Sequence, residues 1–103
     1  MAYLVDTDIL IDFFRQNDAA TDYLDSLGDW SLSIVTGMEL VAGAKDNKEV
    51  REIDFMLTAY RAIPLSDDIG QLAYNLMRSY SKSHNLEPPD ALIAATAIHE
   101  GLS

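Results

Sequence analysis

Three acidic residues occupy comparable places in this chain, each beside the start of a predicted helix. Asp6 ends a short apolar run, Glu39 lies in the segment SIVTGMELVAGA, and Asp90 lies in the segment PPDALIAATAIH. With no Cys or His among them, the set favours a hard, oxygen-loving ion such as Mg²⁺ or Mn²⁺. Such an ion suits phosphate chemistry because it polarises a phosphoryl oxygen and activates a water molecule. We therefore expect these carboxylates to be the ligands of one metal site.

Each acid also fits a purely structural role. Thr36 and Glu39 have the spacing of a capping box, in which the Glu39 side chain would reach back to the Thr36 backbone N–H. Asp90 follows two prolines and would favour the dipole of the helix that starts there. Asp8 we interpret as a helix-start residue beside the site rather than as a ligand. Helix starts attract anions in either case, so the hypothesis of a site depends on the three acids together.

Burial is what distinguishes the two interpretations. Asp6 follows an apolar strand that should bury it. The helix that carries Asp90 is almost wholly apolar over 91–98, so we expect it to be buried as well. A buried acid needs a partner or a metal ion, and no Lys or Arg is near Asp90 in the sequence.

Other polar side chains offer fewer candidates. His84 and His99 lie near predicted helix ends, where either fits the helix dipole. Arg78 and Lys82 form an i,i+4 basic pair on a long predicted helix. They are candidates for contact with a substrate phosphate, although such a pair usually faces solvent. A stripe of large apolar residues is expected to be core or a protein interface: Phe13, Phe14, Tyr23, Leu24, Phe55 and Met56.

The apolar pattern predicts three strands separated by helices. We expect strands over 2–5, 30–35 and 62–65, and helices over 8–16, 19–27, 36–44, 49–60, 67–83 and 89–101. Strands joined by helical crossovers form a parallel sheet, so the chain is predicted to be α/β, with a short parallel sheet flanked by helices. Open sheets of this kind bind ligands at the carboxyl ends of their strands, where Asp6 lies.

Composition restricts the class of protein further. With 103 residues and 49% hydrophobic residues, the chain is expected to form a single domain over 1–103 with a real core. No run approaches the ~18 apolar residues of a membrane span, and the lack of cysteine favours the cytoplasm. The formal charge of −10 argues against tight non-specific nucleic-acid binding. It permits a nuclease, because a bound Mg²⁺ would reverse the charge of the site.

The segments YLVDTDILIDFFR, SIVTGMELVAGA and PPDALIAATA, in this order, resemble the PIN domain. The resemblance covers nearly the whole chain and is closest to the VapC-like ribonuclease toxins of toxin–antitoxin pairs. It implies an endoribonuclease dependent on Mg²⁺ or Mn²⁺, with Asp6, Glu39 and Asp90 at the acidic positions of the metal site. Thr7 matches the family's Ser/Thr beside the first acid and would hold that carboxylate.

The same resemblance implies partners and products. A metal-bound water would attack an RNA phosphodiester in line and leave 5′-phosphate and 3′-hydroxyl ends. The protein would form a homodimer and would be held inactive by a cognate antitoxin, which lays a segment over the acidic groove.

The chain departs from the family's pattern after the helix of Asp90. The family continues into a fourth strand and a Thr-x-Asn-x-x-Asp/His-Phe segment, which often supplies a further polar or acidic ligand. The sequence ends at Ser103, where that strand would begin. We therefore expect a PIN-like fold without the C-terminal strand, in which the strand before Asp6 is an open edge.

Two other functions stay open. A truncated PIN domain would dimerise or bind an antitoxin without cleaving RNA. A phosphohydrolase of the haloacid-dehalogenase type would use Asp6 as its nucleophile, Thr36 at the end of its second strand, and Asp67 and Asp68 as its acidic pair. The chain is short for the phosphohydrolase fold, which makes this alternative the less favoured one.

Overall fold

A three-stranded parallel sheet lies at the centre of the computed structural model, which describes residues 2–103. The strands β1 (Tyr3–Leu4), β2 (Trp30–Ser33) and β3 (Arg61–Ile63) are ordered β1-β2-β3. Tyr3 pairs with Trp30, and Ser33 pairs with Ile63, in parallel register. The α/β class with a short parallel sheet is therefore confirmed, and all three strands end at the same edge of the sheet.

Six helices connect and cover these strands within residues 2–103. They are α1 (Thr7–Phe14), α2 (Asp18–Leu27), α3 (Ile34–Ala42), α4 (Asn47–Ala59), α5 (Asp67–His84) and α6 (Pro88–Glu100). Polar side chains fix the starts of five of them by accepting a first-turn backbone N–H: Asp6, Asn17, Ser33, Asp46 and Ser66. None of the helices within residues 2–103 combines the length and the apolar character that a membrane span requires.

The apolar interior has two parts. The larger part lies against the sheet and contains Val5, Leu10, Leu24, Trp30, Leu32, Leu40, Ile53 and Met56. The smaller part joins α5 to α6 through Ile69, Ala73, Ala91 and Ala95. The alanines let the two helices approach closely, and α6 also contacts α3, the helix that carries Glu39.

The helix after β2 begins two residues earlier than predicted. Ser33 Oγ accepts a hydrogen bond from the Val35 backbone N–H at 3.0 Å, so Ser33 is the N-cap and α3 starts at Ile34. The predicted start at Thr36 is wrong because Ser33, three residues earlier in the chain, caps the helix with its own side chain. The other predicted boundaries also differ from the observed ones by no more than two residues.

The outer edge of β1, predicted to be open, carries two backbone hydrogen bonds. Leu4 N donates to Ser103 O at 3.1 Å, and Ser103 N donates to Ala2 O at 3.4 Å. This is the hydrogen-bond pattern of a parallel bridge beside Tyr3. The segment that leaves α6 thus runs along β1, the strand that leads to Asp6.

Candidate metal centre

An open cleft of about 520 Å³ lies beside the starts of α1 and α6. Its lining consists of Asp6, Thr7, Asp8, Ile11, Glu39, Asp90, Ile93 and Ala94. The three acids singled out in the sequence, and the two neighbours of Asp6, therefore line one cavity although they come from three distant segments. No Lys or Arg contributes to this lining.

Asp6 is the N-cap of α1. Its Oδ1 accepts a hydrogen bond from the Ile9 backbone N–H at 3.1 Å. The expectation that Asp6 is buried is wrong, because β1 stops at Leu4 and the Asp6 side chain is exposed where it lines the cleft. Asp8 lies in the first turn of α1, as expected, and is exposed as well.

The Glu39 side chain is oriented by a hydrogen bond from Thr7 and is not part of a capping box. The Thr7 hydroxyl donates to Glu39 Oε1 at 2.7 Å and lies 3.2 Å from Thr36 Oγ1. Because Thr36 is inside α3, the predicted capping box of Thr36 and Glu39 does not form. The expectation that Thr7 holds the Asp6 carboxylate is also wrong, since its hydroxyl points across the cleft to Glu39. The short distance and the negative charge make Glu39 the preferred acceptor.

Asp90 lies in the first turn of α6. Its Oδ2 accepts a hydrogen bond from the Glu87 backbone N–H at 3.4 Å, half of a capping-box arrangement. Asp90 is exposed, so the prediction of a buried acid is wrong. Only one side of α6 is covered: Ala91 and Ala95 are fully buried, whereas Ile98 is 59% exposed.

The three carboxylates share one feature that bears on ligand binding. One oxygen of each accepts the hydrogen bond described above: Asp6 Oδ1, Glu39 Oε1 and Asp90 Oδ2. The second oxygen of each has no hydrogen-bond or ion-pair partner within residues 2–103. Each side chain is thus fixed by one oxygen and keeps the other for a ligand in the cleft.

The three acids line the cleft without converging on one point. Within residues 2–103, no group of three His, Cys, Asp or Glu side chains lies close enough together to hold a metal ion. Like charges in an open, wet cleft repel one another, and no cationic side chain lines this one. The donor set fits a hard divalent cation, because it consists of carboxylate oxygens with one unengaged atom on each residue.

The other sequence candidates lie elsewhere. Arg78 and Lys82 are exposed on α5 and do not line the cleft. His99 lies 3.6 Å from Asp68 and 3.1 Å from Glu100, and His84 contacts Ser83 at 2.7 Å. These histidines make local contacts, and neither reaches the acidic cleft.

Sequence reasoning missed how three other side chains lie around the acids, although it had considered Thr36 as a helix cap. Thr36 is fully buried and lies behind Thr7. Ile11 and Ile93 contribute apolar side chains to the lining of the cleft. Helical spacing could have found all three, since Thr36 is three residues before Glu39, Ile11 is four after Thr7, and Ile93 is three after Asp90.

The fold and the cleft define an α/β protein with a carboxylate-lined site at the edge of a parallel sheet. The chain belongs to the PIN domain family, whose sequence model matches residues 3–103. Ribonuclease VapC10 of Mycobacterium tuberculosis is 40% identical over 98 residues, with 91% of this chain and 73% of that protein covered. Ribonuclease VapC1 of Methanocaldococcus jannaschii is 28% identical over 96 residues, with 92% of this chain and 67% of that protein covered.

The fold is also similar to that of solved structures. A chain in a toxin–antitoxin complex from Klebsiella pneumoniae superposes with a TM-score of 0.85 at 32% identity, covering 98% of this chain and 82% of that chain. The family predicted from the three segments is confirmed, and PIN ribonucleases generally use divalent metal ions. The haloacid-dehalogenase alternative is wrong, because its proposed acidic pair, Asp67 and Asp68, opens α5 outside the cleft.

Proposed function

We propose that this chain is a Mg²⁺- or Mn²⁺-dependent endoribonuclease and the toxin of a toxin–antitoxin pair. The observation that carries the proposal is that Asp6, Glu39 and Asp90, from three distant segments, line one cleft and each keep one oxygen unengaged. The 40% identity to Ribonuclease VapC10 supports RNA as the substrate.

Within this proposal, the unengaged oxygens of Asp6, Glu39 and Asp90 would hold the cation. A bound Mg²⁺ or Mn²⁺ would supply Lewis acidity toward a phosphoryl oxygen and an activated water. Thr7 orients Glu39 through their 2.7 Å hydrogen bond. The backbone N–H groups of Ile9 and Glu87 fix Asp6 and Asp90 in the same way. Since the three acids do not lie close enough together to hold an ion in this structure, their unengaged oxygens would have to move toward one another when a cation binds.

RNA phosphodiesters suit the shape of the cleft. The cleft is open to solvent rather than enclosed, so a polymeric substrate can reach the carboxylates that line it. In-line attack by water at the phosphorus would break the bond to the 3′ oxygen, with 5′-phosphate and 3′-hydroxyl products.

Partners follow from the relatives. We propose that a cognate antitoxin binds the chain, since a chain of similar fold occurs in a toxin–antitoxin complex. Exposed apolar side chains provide contact area for an antitoxin or for a second copy in a homodimer, among them Phe55 on α4 and Met38 on α3. The cytoplasmic location and the single domain over 1–103 remain predictions.

A second candidate is a PIN domain that binds partners without cleaving RNA. The observation that favours it is that no three metal-ligating side chains within residues 2–103 lie close enough to hold an ion. In this case the cleft carboxylates would serve only as helix caps and as a polar surface. The two candidates differ in whether purified protein cleaves RNA when Mn²⁺ is added.

Cleavage of a fluorogenic single-stranded RNA tests the proposal. We expect Asp6→Asn, Glu39→Gln and Asp90→Asn each to lower Mn²⁺-dependent kcat/KM by about a thousandfold, since each removes part of the transition-state charge stabilisation. Asp12→Asn is the matched control, because Asp12 is an exposed α1 acid outside the cleft. Equal activity in all four variants, or none in the wild-type protein, would contradict the proposal.

A further inference from the structure

A second cavity adjoins the acidic cleft. It has a volume of about 400 Å³ and lies between α1, α3 and the start of α4. Two residues, Ile11 and Glu39, line both cavities. The two cavities therefore adjoin at Ile11 and Glu39, and together they are called the groove, with Asp6 and Asp90 on one side of this junction and Arg15 on the other.

The second cavity contains cationic side chains, which the acidic cleft lacks. Arg15 and Lys45 both line it. Lys45 Nζ lies 3.8 Å from Glu49, and Glu49 also accepts a hydrogen bond from the Lys45 backbone N–H at 2.9 Å. The Arg15 side chain has no hydrogen bond or ion pair within residues 2–103. Arg15 is thus the cation in this groove whose charge is available to a ligand.

The surroundings of Arg15 suit one nucleotide. Phe14 lines the same cavity and is only partly buried against the core, so a base can stack on the part of its ring that is accessible. A guanidinium binds a phosphate through two parallel N–H donors. The protein has a formal charge of −10, so it should repel a polyanion such as RNA. An unpaired arginine beside the carboxylate cleft gives the polyanion a point of local attraction.

We propose that Arg15 binds the backbone phosphate next to the scissile one and thereby positions the RNA strand along the groove. This inference rests on the proposed ribonuclease function and adds the direction in which the strand leaves the acidic cleft, which is toward α4. Arg15 acts on substrate binding and not on the chemical step, so it should affect KM more than kcat.

Steady-state cleavage of a short single-stranded RNA distinguishes an effect on KM from an effect on kcat. We expect Arg15→Gln to raise KM about tenfold, the size of one lost charged hydrogen bond, while kcat stays near the wild-type value. Arg15→Lys keeps the charge and should recover part of the loss. The matched control is Arg51→Gln, which removes the same charge from an exposed α4 residue that lines neither cavity.

Binding of RNA to the Asp6→Asn protein, which should not cleave it, gives an independent readout. One lost phosphate contact should reduce the slope of log affinity against log salt by about 0.7. Substrates with one neutral methylphosphonate linkage, moved along the strand, locate the contact. When the neutral linkage is the one beside the scissile bond that Arg15 contacts, binding to the Asp6→Asn protein should weaken. Binding to the Asp6→Asn protein that also carries Arg15→Gln should not change.

Each other outcome overturns the inference. If the wild-type protein cleaves RNA and Arg15→Gln matches Arg51→Gln in KM and salt slope, the phosphate contact is wrong and the nuclease function stands. If Arg78→Gln alone raises KM, the strand lies over α5 instead. If poly-glutamate binds with the same dependence on Arg15, the cavity selects acidic peptides rather than RNA. If the wild-type protein cleaves nothing, both proposals fail.

Discussion

In each of the three cleft carboxylates, one oxygen accepts a hydrogen bond within the fold and the other oxygen is unengaged. Asp6 caps α1, Asp90 accepts a bond in the first turn of α6, and Glu39 accepts one from Thr7. The structural and functional interpretations of these acids are therefore compatible. Helix starts present unpaired backbone N–H groups, and at the carboxyl edge of a parallel sheet these groups lie where a ligand can also bind.

Thr7 allows the site to be tested without removing a carboxylate. Thr7→Ala deletes the donor that orients Glu39, so we expect Mn²⁺ affinity to fall about ten- to a hundredfold, the usual effect of losing a group that positions a metal ligand. Thr7→Ser keeps the hydroxyl and should bind Mn²⁺ like the wild-type protein. Titration calorimetry measures both, and wild-type affinity in Thr7→Ala would mean that Thr7 does not position Glu39.

The exposure of the acids was one part of the site that sequence patterns predicted wrongly. The apolar run after Asp90 indicates a buried helix, but α6 is fully buried only at Ala91, Ala95 and Thr96, and Ile98 is 59% exposed. A local pattern contains no information on how many neighbours a helix has, so it overstates burial. The positions of Asp6, Glu39 and Asp90 along the chain were predictable, because strand ends and helix starts have local signals.

The boundaries of the helices illustrate the same limit. Asp46 and Ser66 start α4 and α5 through short-range hydrogen bonds, which residue types predict. Ser33 and Thr36 are both good caps, and only the path of β2 decides between them. Ser33 caps the helix, and Thr36 is fully buried beside Thr7. Where two local signals compete, tertiary packing selects one.

Two adjacent residues of α4 differ in burial, one lying in the core and the other on the surface. Met56 is 6% exposed and lies in the larger cluster, whereas Phe55 is 77% exposed. We expect Met56→Ala to lower the free energy of unfolding by about 2–5 kcal/mol, because it leaves a cavity. Phe55→Ser should change it by about 0.5 kcal/mol or less. Urea denaturation measures both, and a large loss for Phe55→Ser would contradict the observed packing of α4.

An ion pair connects the last strand to the last helix. Arg61 Nη2 donates to Glu100 Oε1 at 2.7 Å, and this bond, with a smaller contribution from His99, holds the pKa of Glu100 below its ordinary value. A lowered carboxyl pKa stabilises the fold above the unfolded pKa, and the stabilisation is lost as pH falls through the folded pKa.

We therefore expect Arg61→Gln to raise the pKa of Glu100 toward its ordinary value, as followed by carboxyl NMR. The stability difference between the variant and the wild-type protein should be present at neutral pH and vanish at acidic pH. Arg51→Gln is the control, since Arg51 makes no ion pair within residues 2–103. A stability difference that persists below the folded pKa of Glu100 would contradict this account of the pair.

The charge of the whole molecule links folding to the proposed cofactor. The chain has a formal charge of −10, and Asp6, Asp8, Glu39 and Asp90 all line one cleft. Bringing these carboxylates together costs free energy through repulsion, which a bound divalent cation relieves. A cation that binds only the folded protein must stabilise it, by about 2.7 kcal/mol at a hundredfold excess over Kd.

Titration calorimetry with Mn²⁺ tests the metal centre most directly. Asp6→Asn is a suitable variant because an asparagine oxygen can still cap α1, so a loss of binding reports the site and not the fold. We predict one Mn²⁺ site in the wild-type protein, its loss in Asp6→Asn and Asp90→Asn, and unchanged binding in Asp12→Asn. The same Mn²⁺ affinity in all four proteins, or no binding to any, would contradict the assignment of these carboxylates as metal ligands.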